Sequence, residues 1–130
     1  MTWTTDGANA GSIFFHQNEQ FTITNVCGLL QVIDSQRVLT RYLFYVLSRE
    51  APKYVSAGMG NPKLMAGTMG NIELEIPSIA KQREIVAILD KFDSLVHGLS
   101  EGLPGEIQAR RSQYEYYRTR LLTFKELELK

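Results

Sequence analysis

"IPSIAKQREIVAILDKFDSLV", residues Ile76 to Val96, is where the chain changes its period. Upstream, apolar residues alternate or cluster in short runs. From here on, Ile85, Ile88, Phe92, Leu95 and Leu99 recur at steps of three, four, three and four. That is the spacing of a coiled-coil seam, one apolar row along one face of a helix. Ser78 stands where an N-cap belongs, since its hydroxyl can accept from an otherwise unpaired amide of the first turn. The row calls for a partner helix.

The next stretch offers one. Gly98 and Gly102 weaken the helix end, and Pro104 cannot continue it but can open another. In "GLPGEIQARRSQYEYYRTRLL", Gly102 to Leu122, the residues Ile107, Arg110, Tyr114, Tyr117 and Leu121, with Phe124 just beyond, repeat the three-four spacing. Glu106 with Arg110, and Arg111 with Glu115, are opposite charges four apart on a helix surface, worth about a few tenths of a kcal/mol each. Tyr114 and Tyr117 fall on the row, where a ring buries its body and keeps its hydroxyl at a wet edge. Helix packing, rather than stacking on bases, accounts for this segment.

Upstream the signals are mixed. "SIFFH" and "FTITNV" are rich in aromatic and β-branched residues and flank the polar turn "QNEQ", which predicts a hairpin. Leu39, Leu43, Val46 and Leu47 fall at helical spacing, giving a short helix from about Thr40 to Glu50 that Pro52 ends. "SAGMGNPKLMAGTMGN" holds four glycines and a proline and predicts a long irregular loop. "IELEI" alternates apolar and acidic residues as a strand with one wet face does.

The whole chain is 130 residues, 44% hydrophobic, which suits one modest globular core. Its 14 basic and 14 acidic residues cancel, so no global field draws it to phosphate or to an anionic membrane. Met1 to Ala80 carries five Lys/Arg against six Asp/Glu, and Glu106 to Lys125 five against two, so only the C-terminal segment is locally basic. Cys27 is the single cysteine; it excludes an intrachain disulfide and a cysteine-built zinc site, fits a reducing cytoplasm, and reads as a small core residue. The start "MTWTTDGANAG" has neither the basic nor the apolar region of a signal peptide, which leads to a cytosolic expectation.

Chemistry finds little support. "DGANAG" is not GxGxxG and lacks the lysine of a P-loop. It reads either as a tight turn that uses its glycines and asparagine for positive φ, or as a ligand contact, because Thr5, Asp6, Asn9 and Ser12 crowd small polar groups onto it. His16 and His97 have no metal-ligand spacing, and no serine carries the signature of an activated nucleophile. Asp90 and Asp93, flanking Lys91, read as a solvated helix face. No metal and no cofactor is expected.

Four stretches together resemble one family. "WTTDGANAGSIFF", "TNVCGLL", "IPSIAKQREIVAILDKFDSLV" and "GLPGEIQARRSQYEYYRTRLLTF" are similar to the DNA specificity subunits of type I restriction-modification systems, the last two most specifically. The resemblance implies a non-catalytic module that recognises double-stranded DNA, with long helices that pair and dock methyltransferase subunits. Those subunits would carry the catalytic residues and bind S-adenosylmethionine. A full subunit has two target-recognition domains, each followed by a helix; this chain resembles one such unit that begins late, a truncated half-subunit.

The expectation is therefore an α+β chain, with a partial target-recognition domain over 1–77 and a helical spacer and dimerisation region over 78–130. Groove reading needs short polar groups on exposed loops, with phosphate contacts fixing register. On that ground Thr5, Asp6, Asn9, Lys53, Asn61 and Lys63 are the candidate DNA-binding residues. Ile85, Ile88, Phe92, Leu95, Leu99, Ile107, Tyr114, Tyr117, Leu121 and Phe124 are the candidates for helix packing in a homodimer. The rival expectation is a fragment that dimerises or docks partner helices without reading DNA.

Overall fold

The computed structural model describes residues 1–58, 60–97 and 104–123. Among these residues the fold is α+β, a three-stranded antiparallel sheet with four α-helices and one 3-10 turn. The chain divides into two compact units, Met1–Ile79 and Ala80–Lys130.

In the first unit, β1 (Thr2–Thr4) lies between β2 (Ile13–Phe14) and β3 (Cys27–Leu29). The register aligns Trp3 with Ile13 on one side and with Gly28 on the other. Side chains alternate faces along a strand, so Ile13, Trp3 and Gly28 form the inward row, with Ile13 and Trp3 buried. The outward row is Phe14, Thr2 and Leu29, and Phe14 and Leu29 stand about half exposed. Thr2 is buried even so; its Oγ1 lies 2.8 Å from His16 Nε2, whose ring stacks on Phe21 and whose Nδ1 lies 2.7 Å from Glu19.

The expected hairpin is not formed. "SIFFH" supplies β2, but "FTITNV" is not a strand, and the next ladder begins only at Cys27. Both β2 and β3 pair with the short β1 instead of with each other. Trp3 explains the preference: its ring fills the inward side of the sheet and lies directly over Gly28, where a Cβ would sit 2.2 Å from ring carbons. Only a glycine lets the two backbones pair across that ring. Cys27, which as a lone small thiol suited the core, is half-buried in β3.

Helix α1 spans Thr40–Glu50 and ends where a 3-10 turn, Ala51–Tyr54, takes over with Pro52 in its first turn. Proline fits there because the first amides of a helical turn have no partner to lose. The buried face of α1 comprises Tyr42, Tyr45, Val46 and Leu47, so two tyrosines join the aliphatic positions that the spacing marks. The Arg41 guanidinium lies within about 5 Å of the Phe15, Phe44 and Tyr45 ring centres and donates to the Tyr45 hydroxyl. Burial, with a smaller contribution from the charge of Glu75, pushes the Tyr42 phenol from its usual 10.0 up to about 12.

"SAGMGNPKLMAGTMGN" is not wholly irregular, since it contains α2 (Ala66–Gly70) and two core residues, the fully buried Leu64 and the buried Met69. "IELEI" forms no strand. Its burial nevertheless alternates, with Ile72, Leu74 and Ile76 half-buried and Glu73 and Glu75 exposed. Ile72 and Leu74 pack on the core, and the carbonyl of Glu75 accepts from the Tyr42 hydroxyl. An extended chain laid on a core shows the alternation of a strand without needing a ladder partner.

In the second unit, α3 (Ile79–His97) begins directly after Ser78, and α4 (Pro104–Leu122) begins at its proline. Phe92 of α3 stacks on Tyr117 of α4, ring centres 5.2 Å apart. Glu106 and Arg110 pair at 2.7 Å. Asp90 and Asp93 are half-buried rather than on a fully solvated face. No described helix is long and apolar enough to cross a membrane.

Candidate nucleic-acid interface

The turn from Thr5 to Ser12 closes on itself through Ala10 N–H to the Gly7 carbonyl (2.9 Å), Ser12 N–H to Asn9 (3.0 Å) and Gly11 N–H to Thr4 (2.8 Å). Gly7 and Gly11 hold positive φ, +93° and +83°, which other residues adopt only with strain. At Gly11 a Cβ would also lie 2.7 Å from Val55 Cγ2 and 3.3 Å from the Pro52 backbone. The turn therefore sits tightly against the 3-10 turn that carries Lys53.

Its other side is joined to the glycine-rich loop. Gly7 N–H donates to the Pro62 carbonyl at 3.0 Å and Leu64 N–H to the Thr5 carbonyl at 2.9 Å, with Asp6 and Lys63 forming an antiparallel bridge. Lys63 is held from its far side as well, exchanging backbone hydrogen bonds of 2.9 and 3.2 Å with Ser56. Beneath this seam the indole N–H of Trp3 donates to the Leu64 carbonyl at 2.9 Å. Three segments distant in sequence become one ledge, with Leu64 buried in the core and Lys63 exposed beside it.

Thr5, Asp6 and Lys63 are thus brought together. Asn61 stands exposed beside Pro62, and Asn9 is exposed on the turn. Lys53 lies on the 3-10 turn behind Gly11. Neither lysine points unaccompanied into solvent. Lys63 Nζ lies 3.2 Å from Asp6 Oδ2, and Lys53 Nζ 2.7 Å from Glu50 Oε2, whose other oxygen is 3.5 Å from Arg49. Both lysine side chains are about half exposed. Pairs of this kind contribute roughly 0–1 kcal/mol, so either lysine can be released once its carboxylate finds another partner. Tyr54, an exposed aromatic next to Lys53, is not among the sequence candidates because a lone tyrosine near a proline carries no periodic signal.

Of the helix-packing candidates, Ile85 is fully buried; Ile88, Phe92, Ile107, Tyr114 and Leu121 are half-buried; Leu95 and Tyr117 are exposed. Leu99 and Phe124 lie outside the described residues. Leu89 and Gln82, absent from the three-four row, are fully buried. Among the described residues no three His, Cys, Asp or Glu side chains converge as metal ligands.

Residues 1–109 match the family described as the type I restriction modification DNA specificity domain. The chain is 36% identical over 124 residues, 95% of its length, to a putative type I specificity subunit of Mycoplasma pneumoniae, of which it covers 40%. It is equally similar, 36% over 124 residues, to the type I restriction enzyme MpnII specificity subunit of the same organism, covering 37% of it. A type I restriction enzyme specificity subunit of Escherichia coli is 35% identical over 101 residues, 72% of this chain and 24% of that protein. The chain thus spans less than half the length of these relatives. No solved structure matches it significantly.

Proposed function

Because the chain belongs to the family of type I restriction-modification DNA specificity domains, we propose that it reads double-stranded DNA from the ledge formed by the Thr5–Ser12 turn and the glycine-rich loop. The observation that carries this reading is the backbone junction of the two loops, Gly7 to Pro62 and Thr5 to Leu64, which sets the turn that carries Asn9 beside the loop that carries Asn61 and Lys63. Asparagine is suited to base edges and lysine to phosphate. The chain itself catalyses nothing; methyl transfer and cleavage belong to partner subunits in the cytoplasm. Lys53 and Lys63 are the phosphate contacts on target DNA. Replacing both with alanine lowers affinity and reduces the slope of log K against log salt by up to about 1.8, or 0.9 for each phosphate left unneutralised. An unchanged slope removes both lysines from the interface.

The helices α3 and α4 serve assembly in this reading. Phe92 and Tyr117 already stack within one chain, while Leu95, Tyr116 and Tyr117 keep apolar surface exposed. A second copy covers that surface through the α3 and α4 rows, so that two identical DNA-reading units flank a helical spacer. Sedimentation equilibrium then returns the mass of a dimer, and a binding-site selection recovers an inverted repeat split by a fixed gap. Single asymmetric sites reject the homodimer while keeping DNA reading; a monomer at all concentrations rejects it too and favours docking onto partner helices.

A further inference from the structure

The Asp6–Lys63 pair joins two positions whose backbones cannot drift apart. Asp6 is flanked by the Thr5 carbonyl and the Gly7 amide, both engaged across the seam, and Lys63 is held by Ser56 on one side and bridged to Asp6 on the other. The fold therefore does not depend on the ion pair. Its two charged ends, by contrast, are solvent-accessible, with the lysine side chain 51% and the carboxylate 28% exposed. The pair can open by a rotation of Lys63 alone.

A carboxylate on a DNA-facing ledge is costly to bring near phosphates unless something compensates for it. Non-specific DNA offers only the phosphate field, which the carboxylate opposes and which an occupied lysine does not exploit. A base edge that presents an amino group, such as cytosine N4, offers the carboxylate a donor. Satisfied there, Asp6 no longer needs Lys63. Left without that donor, it would be a partly desolvated anion facing phosphates.

Resting on the DNA-reading function proposed above, we propose that Asp6 is an electrostatic gate on Lys63. It withholds the lysine from phosphate on non-cognate DNA and releases it when a base amino group takes over the carboxylate. Asp6 is then a specificity-determining residue, and Lys63 a phosphate contact made only on the correct sequence.

The test compares the wild-type chain, Asp6→Asn, Lys63→Gln and the double variant on a short duplex of random sequence across a salt series. Trp3, the single tryptophan, donates to Leu64 next to Lys63, so its fluorescence checks that each variant keeps the ledge. Asp6→Asn frees Lys63 for phosphate. Its salt slope steepens by about 0.9 and its affinity for random DNA at 0.1 M salt rises by about eightfold, which is that slope taken over one decade of salt. Lys63→Gln alone gives no gain on random DNA and, by leaving the Asp6 carboxylate uncompensated, lowers binding to it; in the double variant the gain of Asp6→Asn disappears. In a selection from a randomised library, Asp6→Asn recovers a motif with less discrimination at one base pair.

A gain that persists in the double variant overturns the gate, because it then reflects only the removal of a negative charge. So does an Asp6→Asn variant that binds random DNA as the wild type does. If neither wild type nor Asp6→Asn binds any duplex at low salt, DNA reading itself falls, and the gate with it.

Discussion

Trp3→Ala lowers the unfolding free energy by about 3–5 kcal/mol, the usual range for emptying a buried large aromatic site. The ring is 5% exposed, lies over Gly28 and shares its row with Ile13. Its removal opens a hole at the centre of a sheet only three strands wide, with few neighbours able to close it. It also deprives the Leu64 carbonyl of its donor. A domain of this size has roughly 5–15 kcal/mol in total, so a large part of its stability is at stake. Denaturant unfolding of the whole chain, followed by circular dichroism because the fluorophore is gone, measures the change. Trp3→Phe separates the two contributions. It keeps most of the ring but leaves the carbonyl unpaired, for a loss of about 1–3 kcal/mol. A Trp3→Ala loss below about 1 kcal/mol would show that the sheet is not organised around this ring.

Gly28→Ala is the second large effect, and its sign comes from a collision. The added methyl would lie 2.2 Å from two carbons of the Trp3 ring and 2.3 Å from a third. The ring cannot step aside without breaking its bond to Leu64 or pressing into the core. Overpacking of this kind costs about 1–3 kcal/mol, and here the upper end is expected because ring and strand are both fixed. Gly58→Ala and Gly60→Ala are the controls. Neither would meet an atom within 4 Å and neither has positive φ, so each should change stability by less than about 0.5 kcal/mol. If Gly28→Ala unfolds at the same denaturant concentration as these controls, β3 does not approach the ring as described. The two substitutions also bear on the DNA contacts proposed above, because Trp3 donates to Leu64 next to Lys63.

The helices and their ends follow from local interactions. A helix is bonded four residues back along its own chain, so its period, proline stops and starts can be read without knowing the rest of the fold. Thus α1 ends where Pro52 predicts, α3 follows Ser78 and α4 opens on Pro104. The glycines and asparagines of "DGANAG" and the glycine-rich loop likewise mark the exposed segments that carry Asn9, Asn61 and Lys63. Family membership was legible too, in motifs running through both units.

The pairings, by contrast, come from contacts made across the fold. Thr2–Thr4 is too short to display an alternation, yet it is the central strand, because a buried tryptophan opposite a glycine outweighs the β-propensity of "FTITNV". Leu64 and Met69 look like loop residues and are core, since the loop that carries them packs with Trp3 and Ile13 of the sheet. Asp6 and Lys63 read separately as exposed polar groups on two loops; their ion pair exists because backbone bonds between those loops bring them together. Ladder partners and charge partners are chosen across the fold, by which surfaces bury the most and which backbones must pair, and no local period records that choice.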